Sequence, residues 1–229
     1  MAWRCSSLSN EGLVQNLCRS GIIHSKRVAD AMKKTDRAKY MRSAESLNQQ
    51  LAYSDAPQPI GHNQTISAPH MHAYALELAD ASTQGIERPQ ILDVGSGSGY
   101  LTACFGRMVE SANGKVVGIE RVEELADFAR KNIELSDRDL IDNGIVTILC
   151  ADGWKEVAKT APFHFIHVGA AADKLPDSLI NQLEIGGRMV IPLGAPNEVQ
   201  FLTEVVRTSQ GIQQRKLMSV AYVPLVRDS

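Results

Sequence analysis

The sequence lacks several features that would assign the protein to a class at once. It has no uninterrupted apolar run of about 18 or more residues, so no transmembrane helix is predicted. The segment Met1–Asn10 is polar and has no apolar centre, so we expect no signal peptide. The formal net charge is only −2, so nothing in the composition indicates the strongly basic surface that binds nucleic acids or acidic membranes. We therefore expect no nucleic-acid partner and no membrane partner.

Cysteine is scarce, and its spacing is not that of a metal site or a disulfide framework. The four cysteines are Cys5, Cys18, Cys104 and Cys150, and none forms a Cys-x-x-Cys pair. This usage favours reduced thiols in a cytoplasmic protein. No spacing of histidine, cysteine and carboxylate residues indicates a metal site either.

What the sequence does contain is one glycine-rich stretch around which the rest is organised. An apolar run, Ile91-Leu92-Asp93-Val94, ends in Gly95, Gly97 and Gly99, and a helical pattern follows over Leu101–Val109. Glycine permits the positive φ of a tight turn and a close approach of ligand to backbone. A strand, a glycine turn and a helix together are typical of nucleotide-like cofactor sites in doubly wound α/β proteins.

The pattern beyond residue 90 predicts a mainly parallel sheet. Strand-like and helix-like segments alternate there, which indicates βαβ units, and the final two strand-like segments meet at a short turn and predict an antiparallel hairpin. Two short helices, the first capped by Asn10 and the second by Ser25, precede the sheet, whereas Tyr53–Gly61 is predicted to be a loop. The predicted strands are Gln90–Val94, Lys115–Ile119, Val146–Cys150, Phe163–Val168, Arg188–Pro192, Val199–Thr208 and Ile212–Tyr222, and the predicted helices of this region are Leu101–Val109, Val122–Leu135 and Pro176–Leu183.

The length of 229 residues suits one α/β domain. We expect residues 1–64 to form an N-terminal helical extension with a substrate loop, and residues 65–229 to form the cofactor-binding core. The predicted fold class is a doubly wound, Rossmann-like sheet with antiparallel C-terminal strands.

The glycine stretch does not fit the motifs for phosphate-containing cofactors. The dinucleotide fingerprint needs a small residue at position 100 or 102, where this chain has Tyr100 and Thr102. No Gly-Lys-Ser/Thr follows, so the stretch is not a P-loop. The cofactor is therefore expected to lack a pyrophosphate or triphosphate group.

Acidic residues follow three successive predicted strands. Asp93 ends the first, Glu120 the second, and Asp152 lies just after the third. Such a rim suits a ligand with a positive charge and many hydroxyl or amine donors, and an acid about 20 residues after the glycine turn suits ribose hydroxyls. S-adenosylmethionine has this chemistry and no phosphate. Taken singly, Asp93 and Asp152 could instead each only cap a turn.

Beyond the glycine stretch, the chain resembles the protein-L-isoaspartate (D-aspartate) O-methyltransferase family over nearly its whole length. The glycine stretch marks class I methyltransferases in general, whereas Gln64-Thr65-Ile66-Ser67-Ala68-Pro69 is the specific signal. Further matches are Thr35-Asp36-Arg37, Tyr53-x-Asp55-x-Pro57-x-Pro59-Ile60-Gly61, Ile166-His167-Val168-Gly169-Ala170-Ala171-Ala172 and Gln182-Leu183-x-x-Gly186-Gly187-Arg188.

The resemblance implies methyl transfer from S-adenosyl-L-methionine to the carboxylate of L-isoaspartyl and D-aspartyl residues in damaged proteins, with S-adenosyl-L-homocysteine as the by-product. It implies repair through a methyl ester and a succinimide, peptide substrates of varied sequence, and a monomeric cytosolic enzyme. Ser67 is the implied catalytic residue. The implied cofactor contacts are Gln64, Thr65, Ile66, Ser67, His72, Asp93, Gly95, Ser96, Gly97, Ser98, Glu120, Arg121, Asp152 and Gly153, and the implied substrate contacts are Ile66, Ser67, Val220, Ala221 and Tyr222.

The chemistry agrees with the absence of a His–Asp or Cys–His catalytic pair. A carboxyl group with a pKa of roughly 3.5–4 is already an anion at neutral pH, so no base is required. Ser67 lies near a predicted helix start, where free N–H groups favour an anion, but serine is also a common helix cap. Both roles stay open on sequence grounds. His72 could equally be an ordinary exposed residue, whereas packing or hydrogen bonding is favoured for His164 and His167.

Two departures from the family pattern concern cofactor contacts and loop length. The C-terminal run Tyr222-Val223-Pro224-Leu225-Val226 has valine where the family has threonine, which removes a polar contact. The stretch Ala44–Leu51 is predicted to be a surface insertion. Two other functions remain as alternatives, a methyltransferase of small acids or hydroxyls and a non-catalytic cofactor-binding adaptor.

Overall fold

A computed structural model describes residues 5–42, 51–155, 161–195 and 198–226. Helices and strands alternate along most of the chain after residue 58. The helices are α1 (Asn10–Arg19), α2 (Lys26–Lys34), α3 (Pro69–Thr83), α4 (Tyr100–Val109), α5 (Glu123–Ser136), α6 (Arg138–Asp142) and α7 (Asp177–Asn181), and single 3₁₀ turns span Arg37–Tyr40 and Glu110–Ala112. The strands are β1 (Gln58–Gly61), β2 (Gln64–Ile66), β3 (Gln90–Val94), β4 (Lys115–Glu120), β5 (Val146–Cys150), β6 (Phe163–Val168), β7 (Leu183–Leu193), β8 (Gln200–Thr208) and β9 (Gly211–Val220).

The main sheet has seven strands in the order β5-β4-β3-β6-β7-β8-β9. The first five are parallel, and β8 and β9 are antiparallel to their neighbours. The strand order reverses between β3 and β6, and crevices at such a reversal are where ligands bind in open α/β sheets. The predicted fold class and its antiparallel C-terminal hairpin are therefore confirmed.

Both faces of the sheet are covered by apolar layers because neighbouring residues of a strand point to opposite faces. Ile91, Val116 and Phe165 share a buried cluster with the helices α1 to α5. Leu92, Val117 and Ile166 belong to a second cluster on the other face, which includes Leu179 of α7. The central strands β3, β4 and β6 are buried on both sides, as the continuous apolar runs in the sequence predict.

The N-terminal helices pack onto the same core as the sheet, and their caps differ partly from the prediction. Ser25 caps α2 as predicted, through a hydrogen bond from the backbone N–H of Arg27 (3.2 Å). Ser9, not Asn10, caps α1. The Asn10 side chain donates instead to the carbonyl of Met32 near the end of α2 (2.8 Å). It is therefore not the capping group of α1.

Other boundaries also shift where tertiary contacts extend or interrupt a local pattern. The predicted loop Tyr53–Gly61 contains β1, which pairs with β2 in a small hairpin. The predicted helix Pro176–Leu183 is shorter, since Leu183 pairs with Phe163 and starts a strand longer than Arg188–Pro192. The predicted insertion at 44–51 lies outside the described residues except for Leu51. Among the helices that the structure describes, none has the length and apolar character needed to cross a membrane.

Candidate active site

The glycine turn after β3 forms the floor of the site. The backbone N–H groups of Gly95 and Ser96 both donate to the carbonyl of Ile119 in β4, at 2.8 and 3.0 Å. Gly97 has a φ of +54° and Gly99 a φ of +84°, values that L side chains rarely adopt. A Cβ on Gly97 would also lie 3.2 Å from the Ile60 side chain. The turn is thus held tightly against the next strand and over the small hairpin.

Asp93 is buried beneath this turn, and each of its carboxylate oxygens has one hydrogen-bond partner in the protein. One carboxylate oxygen accepts from the Thr102 hydroxyl, and the other lies 2.8 Å from Nδ1 of His167 on the adjacent strand β6. Only 1% of Asp93 is exposed. The carboxylate therefore ties β3, α4 and β6 together at the reversal of strand order.

Glu120 ends β4 and also supports the turn. Its Oε2 accepts from the N–H of Gly97 (3.0 Å), and its Oε1 accepts from the N–H of Val122 (3.0 Å). Each carboxylate oxygen has a further lone pair, so Glu120 can still accept from a ligand hydroxyl. Glu120 lines the open cleft described below.

Asp152 follows β5 on the same rim, and its carboxylate accepts from the N–H of Trp154 (2.9 Å). It does not line either of the two cavities at the site, whereas its neighbour Gly153 does. The three acids do follow adjacent strands, but only Glu120 borders the larger cavity. Asp152 forms the turn-capping contact that its position before glycine allows.

The larger cavity is a cleft with a volume of about 460 Å³. Glycine-turn residues and Ile119, Val122 and Ala151 form one side, and the C-terminal segment forms another. The predicted site residues along its wall are Gln64, Thr65, Ser67, Gly95, Gly97, Glu120, Arg121, Gly153, Val220, Ala221 and Tyr222.

A second, smaller cavity of about 40 Å³, called the inner chamber here, adjoins the cleft. Thr65, Ser67, Gly95, Gly97 and Gly169 line both cavities, so the two are continuous at these residues. The other predicted site residues of the inner chamber are Ile66, His72, Asp93, Ser96 and Ser98. The structure therefore brings every predicted site residue except Asp152 to one of the two cavities.

Ser67 lies where the two cavities meet, and it does not cap α3. The cap position is Ala68, and no side chain caps this helix end. The Ser67 hydroxyl instead hydrogen-bonds to the phenol of Tyr222. Burial raises the pKa of Tyr222, and the hydrogen bond from Ser67 opposes that rise. The serine hydroxyl is therefore held by a residue from the far end of the chain and not by its own helix.

Two histidines at the start of α3 have different surroundings. His70 lines the cleft, and its Nδ1 lies 2.8 Å from the buried carboxylate of Asp55. His72 is buried, lines the inner chamber, and has Nδ1 3.3 Å from Arg37. Burial lowers the pKa of His72 well below its usual value, and the charge of Arg37 adds to this effect. His72 is thus a buried neutral imidazole and not an exposed residue.

The C-terminal segment lies along the cleft through backbone contacts. Ala171 donates to the carbonyl of Val223 (2.8 Å), and Leu225 donates back to Ala171 (2.7 Å). The Trp154 indole donates to the carbonyl of Leu225 (3.0 Å). Val226 lines the cleft, so this part of the wall is present although the family's threonine is absent.

Several lining residues were not predicted from the sequence. His70, His167 and Tyr100 contribute polar or aromatic groups. Gly169 follows β6, lines both cavities and donates its backbone N–H to the carbonyl of Val94 at the end of β3 (2.8 Å). His167 and Gly169 belong to a segment quoted for the family resemblance, which was the available signal. Within the part of the chain that the structure describes, no three His, Cys, Asp or Glu residues group as a metal site would require.

A protein-family model, protein-L-isoaspartate(D-aspartate) O-methyltransferase, matches residues 8–229. The protein-L-isoaspartate O-methyltransferase of Caenorhabditis elegans is 41% identical over 225 residues, covering 98% of this chain and 96% of the worm protein. Protein-L-isoaspartate O-methyltransferase 2 of Arabidopsis thaliana is 45% identical over 221 residues, covering 96% of this chain and 68% of the plant protein.

A solved structure supports the same relationship. A Plasmodium falciparum chain, described as a protein-L-isoaspartate O-methyltransferase in complex with S-adenosyl-L-homocysteine, superposes with a TM-score of 0.84 at 33% identity. The match covers 96% of this chain and 99% of that one.

Proposed function

Because this chain belongs to the protein-L-isoaspartate (D-aspartate) O-methyltransferase family, we propose that the cleft and the inner chamber are the two halves of its active site. The protein is a methyltransferase that uses S-adenosyl-L-methionine and acts on the free carboxylate of L-isoaspartyl and D-aspartyl residues. The observation that carries the assignment of the site is the position of Ser67, which lines both cavities.

The residues present fit S-adenosyl-L-methionine. Glu120 offers free lone pairs to ribose hydroxyls, and Ile119, Val122 and Ala151 give an apolar wall for an adenine ring. The Ser96 hydroxyl is buried in the inner chamber without a hydrogen-bond partner among the described residues. An amino-acid group bound there would satisfy it. When bound, the cofactor supplies a methyl group on a sulfonium, which is a good leaving group.

Ser67 is proposed as the catalytic residue that orients the acceptor. The acceptor carboxylate needs no base, so the protein has to hold it in line with the methyl group. Correct orientation can contribute about 7–11 kcal/mol toward lowering a barrier of this kind. The Ser67 hydroxyl can release Tyr222 and donate to the carboxylate, so Tyr222 keeps the hydroxyl aligned when no substrate is present.

The substrate is proposed to lie along the C-terminal end of β9. Val220, Ala221 and Tyr222 line one side of the cleft, and Pro57 and Ile60 line the other. Contacts through backbone groups on such walls would accept peptides of varied sequence. The methyl ester formed closes to a succinimide, which opens partly to normal aspartate, so repeated cycles repair the damaged residue.

The remaining proposals concern the context of the enzyme. We propose that residues 1–229 form one domain, since residues of α1 and α2 share a cluster with Phe105 and Phe165. We propose a cytosolic monomer without nucleic-acid or membrane partners. The absence of disulfides among the four cysteines fits a reducing compartment, and the net charge of −2 fits a protein without a polyanionic partner.

The activity is tested by transfer of a labelled methyl group to peptides that contain isoaspartate, with matched aspartyl peptides of the same sequence as the control. We expect several unrelated isoaspartyl peptides to be methylated and their aspartyl twins to be inert. Preferential labelling of small acids, or binding of cofactor without any transfer, would favour one of the two alternative functions.

The role of Ser67 is tested with Ser67→Ala and the matched variant Ser25→Ala. Ser67→Ala should lower kcat/KM for an isoaspartyl peptide by about 100-fold, since small misplacements in an aligned reaction have effects of this size. Its affinity for S-adenosyl-L-homocysteine should change less than threefold. Ser25 does cap a helix, so its loss should lower stability by about 1 kcal/mol and leave activity intact. The reverse pattern would make Ser67 a purely structural residue.

A further inference from the structure

Arg37 is buried completely, yet no acidic side chain among the described residues forms an ion pair with it. It is 0% exposed, and its Nε and Nη2 atoms have no hydrogen-bond partner within the described part of the chain. Burial lowers its pKa to about 10, so the guanidinium is still charged at neutral pH. A buried charge without an ion-pair partner is costly to a fold, and the Coulombic attraction of the Asp55 carboxylate offsets only part of the cost of burial. Stability alone therefore does not explain a buried guanidinium at position 37.

The contacts of Arg37 lead to the inner chamber. Its Nη1 lies 3.3 Å from Nδ1 of His72, and its Cζ lies 5.5 Å from the centre of the Tyr100 ring. Both His72 and Tyr100 line the inner chamber, and their rings lie 5.2 Å apart. Arg37 itself does not line the chamber, so it acts on that cavity only through these two side chains.

The contact between Arg37 and His72 fixes the protonation of the imidazole. A guanidinium has only donors, so Nδ1 of His72 must be the acceptor. A neutral imidazole that accepts at Nδ1 carries its proton at Nε2. The low pKa of His72, caused first by burial and then by Arg37, keeps the ring in this neutral form. His72 is therefore a hydrogen-bond donor with a positive charge behind it.

The inner chamber consequently has two walls of opposite electrostatic character. Asp93 supplies a buried carboxylate on one wall, and His72, backed by Arg37, supplies a donor on the other. The Ser96 hydroxyl without a partner lies in the same cavity. A small zwitterion, with an ammonium and a carboxylate on one carbon, matches this arrangement.

Building on the proposed function, we propose that Arg37 is a positioning residue that fixes His72 as the Nε2–H tautomer and, through it, holds the carboxylate of the cofactor's amino-acid end. Arg37 does not touch the reacting atoms. Among the described residues no acidic side chain forms an ion pair with Arg37, so an anionic group in the chamber can be its counterion.

The test compares two ligands that differ in the amino-acid end. S-adenosyl-L-homocysteine has it, and 5′-methylthioadenosine lacks it. In Arg37→Met, the affinity for S-adenosyl-L-homocysteine by calorimetry should fall at least tenfold, whereas the affinity for 5′-methylthioadenosine should stay within twofold. The ligand-free melting temperature should stay equal or rise, because an unpaired buried charge is removed. Arg37→Lys should recover part of the lost affinity.

Arg27→Met is the matched control, since Arg27 pairs with Asp80 (2.7 Å) and donates to the carbonyl of Met108 (3.1 Å) but lines neither cavity. It should lower the melting temperature and leave the ratio of the two affinities unchanged. Equal losses for both ligands in Arg37→Met, or an unchanged ratio, would overturn the proposal. A raised KM for the isoaspartyl peptide with normal cofactor affinity would overturn it in favour of the substrate carboxylate.

A second measurement uses the unmodified protein and is unaffected by whether the variants fold. Nitrogen-15 NMR of His72 should show protonation at Nε2 alone between pH 6 and 8, and the signal of this proton should shift on adding S-adenosyl-L-homocysteine but not 5′-methylthioadenosine. Protonation at Nδ1, or the same response to both ligands, would contradict the proposal.

If the unmodified protein binds no S-adenosyl-L-homocysteine and methylates no isoaspartyl peptide, the proposed function fails. If it does both while the ligand ratio is unchanged, only the role of Arg37 fails.

Discussion

The two walls of the active site differ in how far the fold uses up their polar groups. On the glycine-turn wall, the carboxylates of Asp93 and Glu120 accept hydrogen bonds from Thr102, His167 and two backbone N–H groups. On the wall at the start of α3, the Ser67 hydroxyl contacts the phenol of Tyr222. Behind this wall, Arg37 keeps two nitrogen atoms without partners among the described residues. The acids of the first wall are hydrogen-bonded before any ligand arrives, and the Ser96 hydroxyl is the group of that wall left for a ligand. On the second wall, the groups that would contact or orient the substrate and cofactor are still available.

This difference predicts where mutations affect stability and where they affect function. Substitutions on the glycine-turn wall should destabilise the protein, because they leave buried groups without partners. Substitution of Ser67 or Arg37 should weaken binding or transfer with little change in stability. Four further measurements test this contrast.

Asp93→Ala should be the most damaging change. It removes the partner of both Thr102 and His167 inside the core, so we expect a loss of about 3–5 kcal/mol in the free energy of unfolding, measured by urea denaturation. Glu11→Ala is the control, since Glu11 is an exposed acid with a distant ion pair (3.9 Å) to Lys33. It should change stability by less than about 0.5 kcal/mol. A small loss for Asp93→Ala would mean that this wall is not held by its acid.

Gly97→Val should come next. A side chain at a φ of +54° is strained and would enter the cavities that Gly97 lines. We expect cofactor affinity to fall about 100-fold, which corresponds to about 2.7 kcal/mol. Gly85→Ala is the control, because Gly85 has a similar φ of +74° and a Cβ there would have no atom of the described residues within 4 Å. That control should cost some stability and leave cofactor affinity unchanged.

The buried His72 should make stability depend on pH. Its pKa in the folded protein lies below the value near 6.5 of the unfolded chain, so the unfolded chain binds the proton first as pH falls. The stabilisation is therefore complete above about pH 6.5 and is lost on acidification below it, by at most about 1.4 kcal/mol per pH unit. His72→Gln should flatten this part of the curve. His167, His70 and Arg37 also act on this ring, so the difference between the two proteins is the quantity to measure.

Trp154→Phe should have the smallest effect. It removes the hydrogen bond from the indole to the carbonyl of Leu225 but keeps an aromatic ring. We therefore expect the free energy of cofactor binding to weaken by about 1 kcal/mol. The loss should appear as a few-fold rise in the KM for S-adenosyl-L-methionine, since the C-terminal segment lines the cleft. A larger fall in kcat than rise in KM would instead link this segment to methyl transfer.

Local patterns in the sequence were sufficient for most of the core. The strands β3 to β6 follow from continuous apolar runs, and the turn after β3 follows from glycines at the positions that need a positive φ. The hairpin of β8 and β9 follows from two strand-like runs around Gly211. Predicted element boundaries were wrong where a distant partner competed with a local preference. For example, the Asn10 side chain donates to the end of α2, and Ser9 caps α1 in its place.

The active site likewise has features that local sequence patterns predict and features that depend on distant contacts. The sequence by itself determined which segments would meet, since the carboxyl ends of parallel strands share one edge, and it placed Ser67 beside a helix start. Only the tertiary structure decided that Ser67 is held by Tyr222, that Asp93 is bound to His167, and that Arg37 lies behind His72. Those pairs join residues that no local period relates. For Asp93 with His167 and for Arg37 with His72 the physical cause is burial, because a buried polar group is stable only with a hydrogen-bond partner from the protein or from a ligand.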